Sequence, residues 1–150
     1  MKNLSRPIRY ALLGGFFIAL DQFLKHWARA NQAFSWTTFH EMLGWKYFEN
    51  TGIAFSLPFP PYLILLLTPF ILLFLFVFFR GLSNPNFMTT LGVFWVVSGA
   101  ISNFADRILF GFTTDYFLFF TSVINIADIL ITFGAFFIFL GLQQEKRAKP

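Results

Sequence analysis

The sequence predicts an all-α membrane protein with four transmembrane helices, and two observations support this fold class. The 150 residues are 57% hydrophobic and only 12% charged, and the mean hydropathy is +0.65. Soluble domains carry about 25% charged residues and rarely expose large apolar patches, so the solvent for this chain is largely lipid. In addition, four segments are apolar over about 20 residues, the length of helix that crosses the hydrocarbon core.

The first predicted helix covers approximately residues 10–27. A basic N-terminus before the apolar run and Ala28-Arg29-Ala30 after it also fit a cleavable signal peptide. However, the polar residues Asp21, Lys25 and His26 separate the apolar run from that site. The sequence therefore favours a retained helix.

The other three helices are predicted at approximately residues 61–79, 88–108 and 123–142, all within a single domain of residues 1–150. Residues 30–58 form the one sizeable excursion between helices, and its tryptophans and phenylalanines suit the membrane–water interface. Within it, Thr37–Phe39 and Lys46–Phe48 are candidate short strands. Residues 109–122 are predicted to be a second aromatic connection on the same side.

The distribution of charge predicts that both termini are cytoplasmic. In that orientation the inner side holds seven of the eleven Lys and Arg residues, but only one of the seven acids, Glu145. The basic residues concerned are Lys2, Arg6, Arg9, Arg80, Lys146, Arg147 and Lys149. Because this bias is the usual mark of the cytoplasmic face, the net charge of +4 requires no nucleic-acid partner.

The absence of cysteine excludes disulfides, thiolate metal sites and a cysteine nucleophile. The two histidines, His26 and His40, are too isolated in the sequence to suggest a metal cluster. No metal and no cofactor are predicted.

Three acids are expected near the outer ends of the predicted helices. Asp21 lies near the end of the first helix, Asp106 near the end of the third, and Asp128 about one and a half turns, or ~8 Å, into the fourth. Each shares a helical stripe with small or polar residues, which is typical of an inward face. The stripes are Gly14, Asp21 and Lys25; Gly99, Ser102, Asn103 and Asp106; and Asn125, Asp128, Thr132 and Ala135.

Acids inside a membrane are costly and commonly mark functional sites. Two neighbouring carboxylates cannot both ionise cheaply, so they share a proton, and one serves as base while the other serves as acid. A water between them can then attack a peptide carbonyl, which is the chemistry of an aspartic protease. No metal or cysteine is needed for this reaction.

Each residue also has a structural interpretation when it is taken alone. Asp128 after Asn125 resembles a helix cap, and Asp21 with Lys25 resembles an i, i+4 pair. Asp106 beside Arg107 fits either an interfacial ion pair or a helix end whose long side chain reaches the membrane surface by snorkelling. Asn50 before Gly52 is typical of a turn, and Asp115 is compatible with a merely solvated acid.

Taken together in order, these segments resemble lipoprotein signal peptidase, also called signal peptidase II, over nearly the whole chain. The segments that carry the resemblance are Asp21-Gln22, Asn50-Thr51-Gly52-Ile53-Ala54-Phe55, the run from Ser98 to Arg107, Asp115-Tyr116-Phe117 and Asn125-Ile126-Ala127-Asp128. The chain departs from the family at Ser98 and Ser102, where glycine is frequent, and at Ile124, where phenylalanine is frequent. None of these departures removes a proposed acid.

The resemblance implies an aspartic endopeptidase of the bacterial cytoplasmic (inner) membrane with Asp106 and Asp128 as its catalytic dyad. The supporting residues would be Asp21, Asn50, Asn103, Arg107 and Asn125. The substrate would be a diacylglyceryl-modified prolipoprotein, cleaved on the amino side of its lipidated cysteine. The active site would lie near the extracytoplasmic face, residues 30–58 would form a small β-cradle, membrane lipids would be partners, and globomycin-type inhibitors would bind.

Two other functions stay open at this point. Membrane acids also occur in proton-coupled transporters, although such sites usually lie near the midplane between repeated halves, and no repeat is visible here. A non-catalytic membrane assembly protein would use the polar stripes only for helix packing.

Overall fold

A computed structural model describes residues 6–53 and 57–147, with four helices and four strands. The helices are α1 (Arg6–Ala30), α2 (Pro61–Gly81), α3 (Phe87–Phe110) and α4 (Ile126–Arg147). The strands are β1 (Ser35–Thr38), β2 (Leu43–Asn50), β3 (Thr113–Phe119) and β4 (Ser122–Ile124). They form one antiparallel sheet in the order β1-β2-β3-β4.

Three of the helices within the described residues, α2, α3 and α4, are long and apolar enough to cross a membrane. The helix α1 is continuous and long enough, but its apolar sequence is interrupted by the charged residues Asp21, Lys25 and Arg29. The predicted count of four spans therefore stays a prediction, as does the cytoplasmic position of both termini. The basic residues Lys2 and Lys149 in that prediction lie outside the described residues, as do Ala54 and Phe55.

The helix α2 begins at Pro61, a residue suited to the first turn because its missing N–H would have no partner there. Its mean hydropathy over the apolar window is 2.8, and Ile64 is its only buried residue. It packs chiefly on α3. Most of its surface is therefore suited to contact with lipid.

Close packing joins α3 to α4, and glycines make it possible. A methyl group added at Gly99 would overlap the backbone carbonyl oxygen of Ala127, and Gly92 and Gly134 meet in the same way. Small residues permit this approach of two backbones in lipid. We call the contacts of these three glycines with the facing helix the glycine seam.

The buried face of α3 agrees with the predicted stripe, since Gly99, Ser102, Asn103 and Asp106 are all buried. The predicted stripe on α4 is partly wrong, because Thr132 and Ala135 are exposed. The buried residues of α4 are Ala127, Asp128, Leu130, Gly134 and Gly141. This face is the one that the glycine seam turns towards α3.

The sheet differs from the prediction in its origin. Residues 30–58 supply only β1 and β2, while β3 and β4 come from the connection that follows α3. β2 pairs with β3 in a register that places Asn50 opposite Thr113 and Phe48 opposite Asp115. The cradle therefore joins two distant parts of the chain rather than lying wholly between the first two helices.

Two predicted boundaries differ from those in the structure, namely the end of β1 and the start of α4. Phe39 has a φ of 50°, so it begins the turn and β1 ends at Thr38. Val123 belongs to β4, and α4 begins only at Ile126. Asp128 consequently lies in the first turn of α4, not one and a half turns inside it.

Aromatic rings fix the sheet over one end of the helix bundle, which we call the sheet end. Trp45 of β2 stacks on Tyr116 of β3 with ring centroids 4.8 Å apart, and Trp27 of α1 meets Trp45 edge-on at 5.1 Å. Tyr116 is buried in this stack.

Candidate active site

Buried polar side chains are concentrated at the sheet end. Asp21, Lys25, Asp106, Asp115 and Asn125 each have 0% exposure, and Asp128 has 6%. Burial of so many charged groups is costly unless each one is paired or hydrogen-bonded. The contacts of each acid therefore indicate its role.

Asp21 is held by three donors from three elements. Its Oδ2 accepts a hydrogen bond from Ser102 Oγ at 2.7 Å and lies 2.8 Å from Lys25 Nζ. Its Oδ1 accepts from the Tyr116 hydroxyl at 2.8 Å. The predicted i, i+4 pair of Asp21 and Lys25 is confirmed. With these three donors, the carboxylate ties α1 to α3 and to the sheet.

Lys25 connects this ion pair to the other acids. Its Nζ donates to Asn103 Oδ1 at 2.7 Å and lies 3.6 Å from Asp106 Oδ2. Asn103 in turn donates through Nδ2 to Asp128 Oδ1 at 2.8 Å. The amide of Asn103 is therefore oriented by the lysine and presents its donor to Asp128.

Asp106 lies in a cationic environment. Its Oδ1 accepts from Gln22 Nε2 at 3.2 Å and from Arg29 Nη1 at 3.5 Å. Its Oδ2 accepts from the backbone N–H of Thr114 at 2.9 Å and also faces Lys25. Both oxygens thus anchor neighbouring elements, and in the part of the chain that the structure describes no single residue hydrogen-bonds to both Asp106 and Asp128.

Asp115 lies beside Asp128 instead. Asn125 Nδ2 donates to Asp115 Oδ1 at 2.6 Å, and Asn50 Nδ2 donates to its Oδ2 at 2.8 Å. Asn125 also contacts Asp128, since its backbone N–H donates to Asp128 Oδ2 at 3.4 Å and its Oδ1 accepts from the Asp128 N–H at 2.9 Å. Burial, and after it the negative charge of Asp128, raises the pKa of Asp115 to about 7.

The remaining predicted site residues surround this pair. Asn50 forms the predicted turn, because its Oδ1 accepts from Gly52 N–H at 2.9 Å while its Nδ2 binds Asp115. Arg107 donates through Nη2 to the Gly52 carbonyl at 2.9 Å. Among the described side chains it forms no ion pair with Asp106 within 4 Å, so the proposed interfacial pair is wrong.

Tyr116 is a site residue that sequence reasoning did not single out. Its hydroxyl accepts from the backbone N–H of Ile126 at 3.1 Å while it donates to Asp21. Burial and the charge of Asp21 raise the pKa of Tyr116, so the hydroxyl keeps its proton. It therefore fixes the start of α4, two residues before Asp128, against α1.

Arg29 was also missed by sequence reasoning. It donates to Thr114 Oγ1 at 2.7 Å and lies 4.2 Å from the centroid of the Phe110 ring. Together, Arg29 and Asp106 fix the residue before Asp115. The strand that Arg29 contacts could have been predicted from the β-branched pair Thr113-Thr114 before Asp115, because such residues favour a strand over a loop.

Two cavities adjoin this group of residues: the wall of one includes Asp128, and the wall of the other includes Asn50, which binds Asp115. The first, which we call the apolar cavity, has a volume of about 380 Å³. Its lining residues are Phe117, Phe119, Ile124, Asp128, Ile129, Thr132 and Phe133. The second, which we call the polar cleft, has a volume of about 450 Å³. Its lining residues are Phe48, Glu49, Asn50, Thr51, Gly52, Pro58, Phe59 and Pro60.

Within the described residues, no group of three or more His, Cys, Asp or Glu side chains is arranged to hold a metal ion. The oxygens of Asp115 and Asp128 accept hydrogen bonds from amides. This arrangement suits proton transfer between a carboxyl group and water, because the two acids share a neighbour and a buried environment.

Comparisons with known proteins agree on one family. The family model described as signal peptidase (SPase) II matches residues 13–143. The lipoprotein signal peptidase of Chlorobium phaeobacteroides (strain BS1) is 37% identical over 145 residues, covering 84% of this chain and 90% of the relative. That of Bartonella tribocorum is 30% identical over 147 residues, covering 91% and 88%.

Solved structures share the fold. A bacterial membrane enzyme determined by the in meso method at 2.3 Å resolution superposes with a TM-score of 0.82 and 23% identity. The superposition covers 98% of this chain and 93% of that enzyme. A second such structure, at 1.9 Å, gives a TM-score of 0.75 over 93% of each chain.

Proposed function

This chain belongs to the signal peptidase II family, and we propose that it is an aspartic endopeptidase acting on diacylglyceryl-modified prolipoproteins. It removes the signal peptide by hydrolysing the peptide bond on the amino side of the lipidated cysteine. The observation that carries the aspartic chemistry is that Asn125 donates hydrogen bonds to the carboxyl groups of both Asp115 and Asp128. Two acids held by one residue beside an apolar cavity suit a shared proton and a lipid-modified substrate.

The catalytic pair that we propose is Asp115 and Asp128, in place of the predicted pair Asp106 and Asp128. Asp106 faces the cations Lys25 and Arg29, whereas Asp115 shares the partner Asn125 with Asp128. Asp115 faces the charge of Asp128, which helps to raise its pKa to about 7. The pair Asp106–Asp128 stays a prediction that the same mutants can test.

The proposed reaction follows from one proton shared by the two acids. The ionised carboxylate removes a proton from a water, and the resulting oxygen nucleophile attacks the scissile carbonyl carbon. The protonated acid donates its proton to the carbonyl oxygen, giving a neutral tetrahedral intermediate. Collapse of the intermediate breaks the C–N bond. The first carboxyl gives its proton to the leaving nitrogen, and the second carboxylate takes a proton from a hydroxyl of the intermediate, which restores the shared proton of the pair.

Asp106, Asp21 and Lys25 act as positioning residues in this proposal. Asp106 fixes Thr114, and Asp21 fixes Tyr116, so the residues on both sides of Asp115 are anchored. Lys25 and Asn103 orient the hydrogen bond to Asp128. Arg107 and Asn50 hold the turn that places the Asn50 amide on Asp115.

The proposed setting is the bacterial cytoplasmic membrane, with the sheet end at the extracytoplasmic face. The apolar cavity, whose wall includes Asp128, is lined mainly by phenylalanine and isoleucine, which suits acyl chains or an apolar signal peptide. Membrane lipids are the surrounding solvent, and globomycin-type inhibitors are expected to compete for this cavity.

We expect the purified chain to cleave a diacylglyceryl-modified prolipoprotein but not its unlipidated twin. The apolar cavity supplies binding for the lipid, and a substrate without it has little to hold its peptide bond at the acids. Mass spectrometry of both substrates after incubation checks the site of cleavage, and a globomycin-treated sample serves as the control.

The rival functions give different results in the same experiment. A non-catalytic assembly protein or a proton-coupled transporter would cleave neither substrate. A transporter would instead show uptake in proteoliposomes that is lost when the acids are replaced. The position of the buried acids supports the peptidase function, because they lie at the sheet end of the bundle and not between two repeated halves.

The rate of cleavage is expected to fall as the pH rises through about 7. The pKa of Asp115 is raised from 3.8 to about 7, so its protonated form is favoured in the folded chain. The stability that this proton contributes is full below about pH 3.8 and is lost as the pH rises through about 7. The pair then loses its shared proton and its general acid.

The measurement is kcat/KM for the lipidated substrate from about pH 5 to about pH 9. Returning each sample to the optimum pH before a second assay separates titration from irreversible loss of the enzyme. A profile that stays flat across pH 7 would contradict the assignment of this proton to the reaction.

A further inference from the structure

We propose that the polar cleft binds the first residues after the lipidated cysteine, and that Glu49 there makes the enzyme favour a basic over an acidic side chain in that segment. This inference rests on the proposed function. It assigns to the cleft a peptide ligand that carries positive charge.

The position of the two cavities gives the direction of the substrate chain. The apolar cavity includes Asp128 in its wall, while the wall of the polar cleft includes Asn50, whose amide binds Asp115. A peptide that runs from one cavity to the other therefore passes the two acids. The lipid and the signal peptide fit the apolar side, so the polar side is left for the segment that becomes the mature N-terminus.

The lining of the cleft suits an extended peptide that is exposed to water. It lies at the end of β2 and along the segment Pro58-Phe59-Pro60, where the backbone is irregular. The side chains of Asn50 and Thr51 provide polar partners, and Phe48 and Phe59 provide apolar walls. Such a mixture of polar and apolar groups is typical of a peptide-binding surface.

Among the described residues that line the cleft, Glu49 supplies the only charge. Its side chain is exposed, and its Oε1 accepts a hydrogen bond from the Tyr47 hydroxyl at 2.8 Å. Across the described side chains, no Lys, Arg or His nitrogen lies within 4 Å of this carboxylate. Its negative charge is therefore available to a ligand.

Tyr47 keeps this carboxylate in place over the working pH range. Burial, followed by the hydrogen bond and charge of Glu49, raises the pKa of Tyr47 to about 12. The hydroxyl therefore remains a donor, and it restrains the Glu49 carboxylate in the lining of the cleft. A restrained charge discriminates between ligands better than a freely rotating one, because less side-chain entropy is lost on binding.

The test is a competition between two lipidated peptides in one reaction. They differ only at the second and third residues after the cysteine, which are lysine in one and glutamate in the other. The ratio of the two kcat/KM values follows from the product ratio and is independent of how much enzyme is active. Wild type, Glu49→Gln and Glu49→Lys are compared, and Glu41→Gln in the β1–β2 turn is the matched control.

The wild-type chain and Glu41→Gln are expected to prefer the lysine peptide by about fivefold, the size of an exposed charge pair. Glu49→Gln should bring the ratio close to one, and Glu49→Lys should reverse it. An unchanged ratio in Glu49→Lys, or no preference in the wild type, would overturn the assignment. Cleavage of neither peptide by the wild type would overturn the proposed function itself, and this assignment with it.

Discussion

Replacing Asp115 or Asp128 by asparagine is expected to lower kcat for the lipidated substrate by ~10²–10⁴-fold, the usual contribution of a general acid or base. Asparagine keeps the shape of the side chain but cannot exchange a proton with water. Because Asp115 and Asp128 act on one water in the proposed reaction, the double mutant should lose little more activity than either single mutant. The measurement is single-turnover cleavage in detergent micelles.

Asp106→Asn is the matched comparison. It keeps an acceptor for the Thr114 N–H but removes the charge that faces Lys25 and Arg29. We therefore expect a loss of thermal stability, with residual activity well above that of Asp115→Asn. The reverse ranking, with Asp106→Asn inactive and Asp115→Asn active, would restore the predicted dyad of Asp106 and Asp128.

Replacing Lys25 by methionine is expected to lower the free energy of unfolding by ~3–5 kcal/mol, the cost of breaking a buried ion pair. The ammonium group is fully buried, lies 2.8 Å from Asp21 and 3.6 Å from Asp106, and donates to Asn103. Without it, two carboxylates and an amide oxygen remain buried with fewer donors. Thermal unfolding in detergent, followed by tryptophan fluorescence, measures the loss.

Lys46→Met is the control for this substitution, because Lys46 lies on β2 with an exposed side chain. Its removal should change the unfolding temperature little. If Lys25→Met unfolded at the wild-type temperature, the central role of Lys25 among the buried acids would be refuted.

The helices and the family could be predicted because their signals are local. Apolar runs of about 20 residues define α2, α3 and α4, and small residues such as Gly99 mark the helix face that meets a neighbour. The resemblance rested on ordered motifs and is confirmed by the family match over residues 13–143. These features depend on sequence neighbours and not on the tertiary fold.

The sheet and the position of Asp115, the proposed partner of Asp128, were harder to predict because both depend on pairing between distant segments. β3 lies beside β2, and only that register places Asp115 near Asn50. In the sequence, Asp115 follows a helix and belongs to no helical stripe, so it resembled a solvated acid. Asp106 completed a stripe on α3, yet the same burial brought it to Lys25 and Arg29.

The glycine seam has a consequence for how this enzyme can diverge. With no side chain between the backbones of α3 and α4 at Gly92, Gly99 and Gly134, no layer of adjustable groups exists there to absorb substitutions. Changes in substrate preference are therefore expected in the linings of the two cavities, such as Phe117 in the apolar cavity and Glu49 in the polar cleft, and not along the seam. Those side chains can be exchanged one at a time over generations, while the two helices that frame the acids stay in the same relative position.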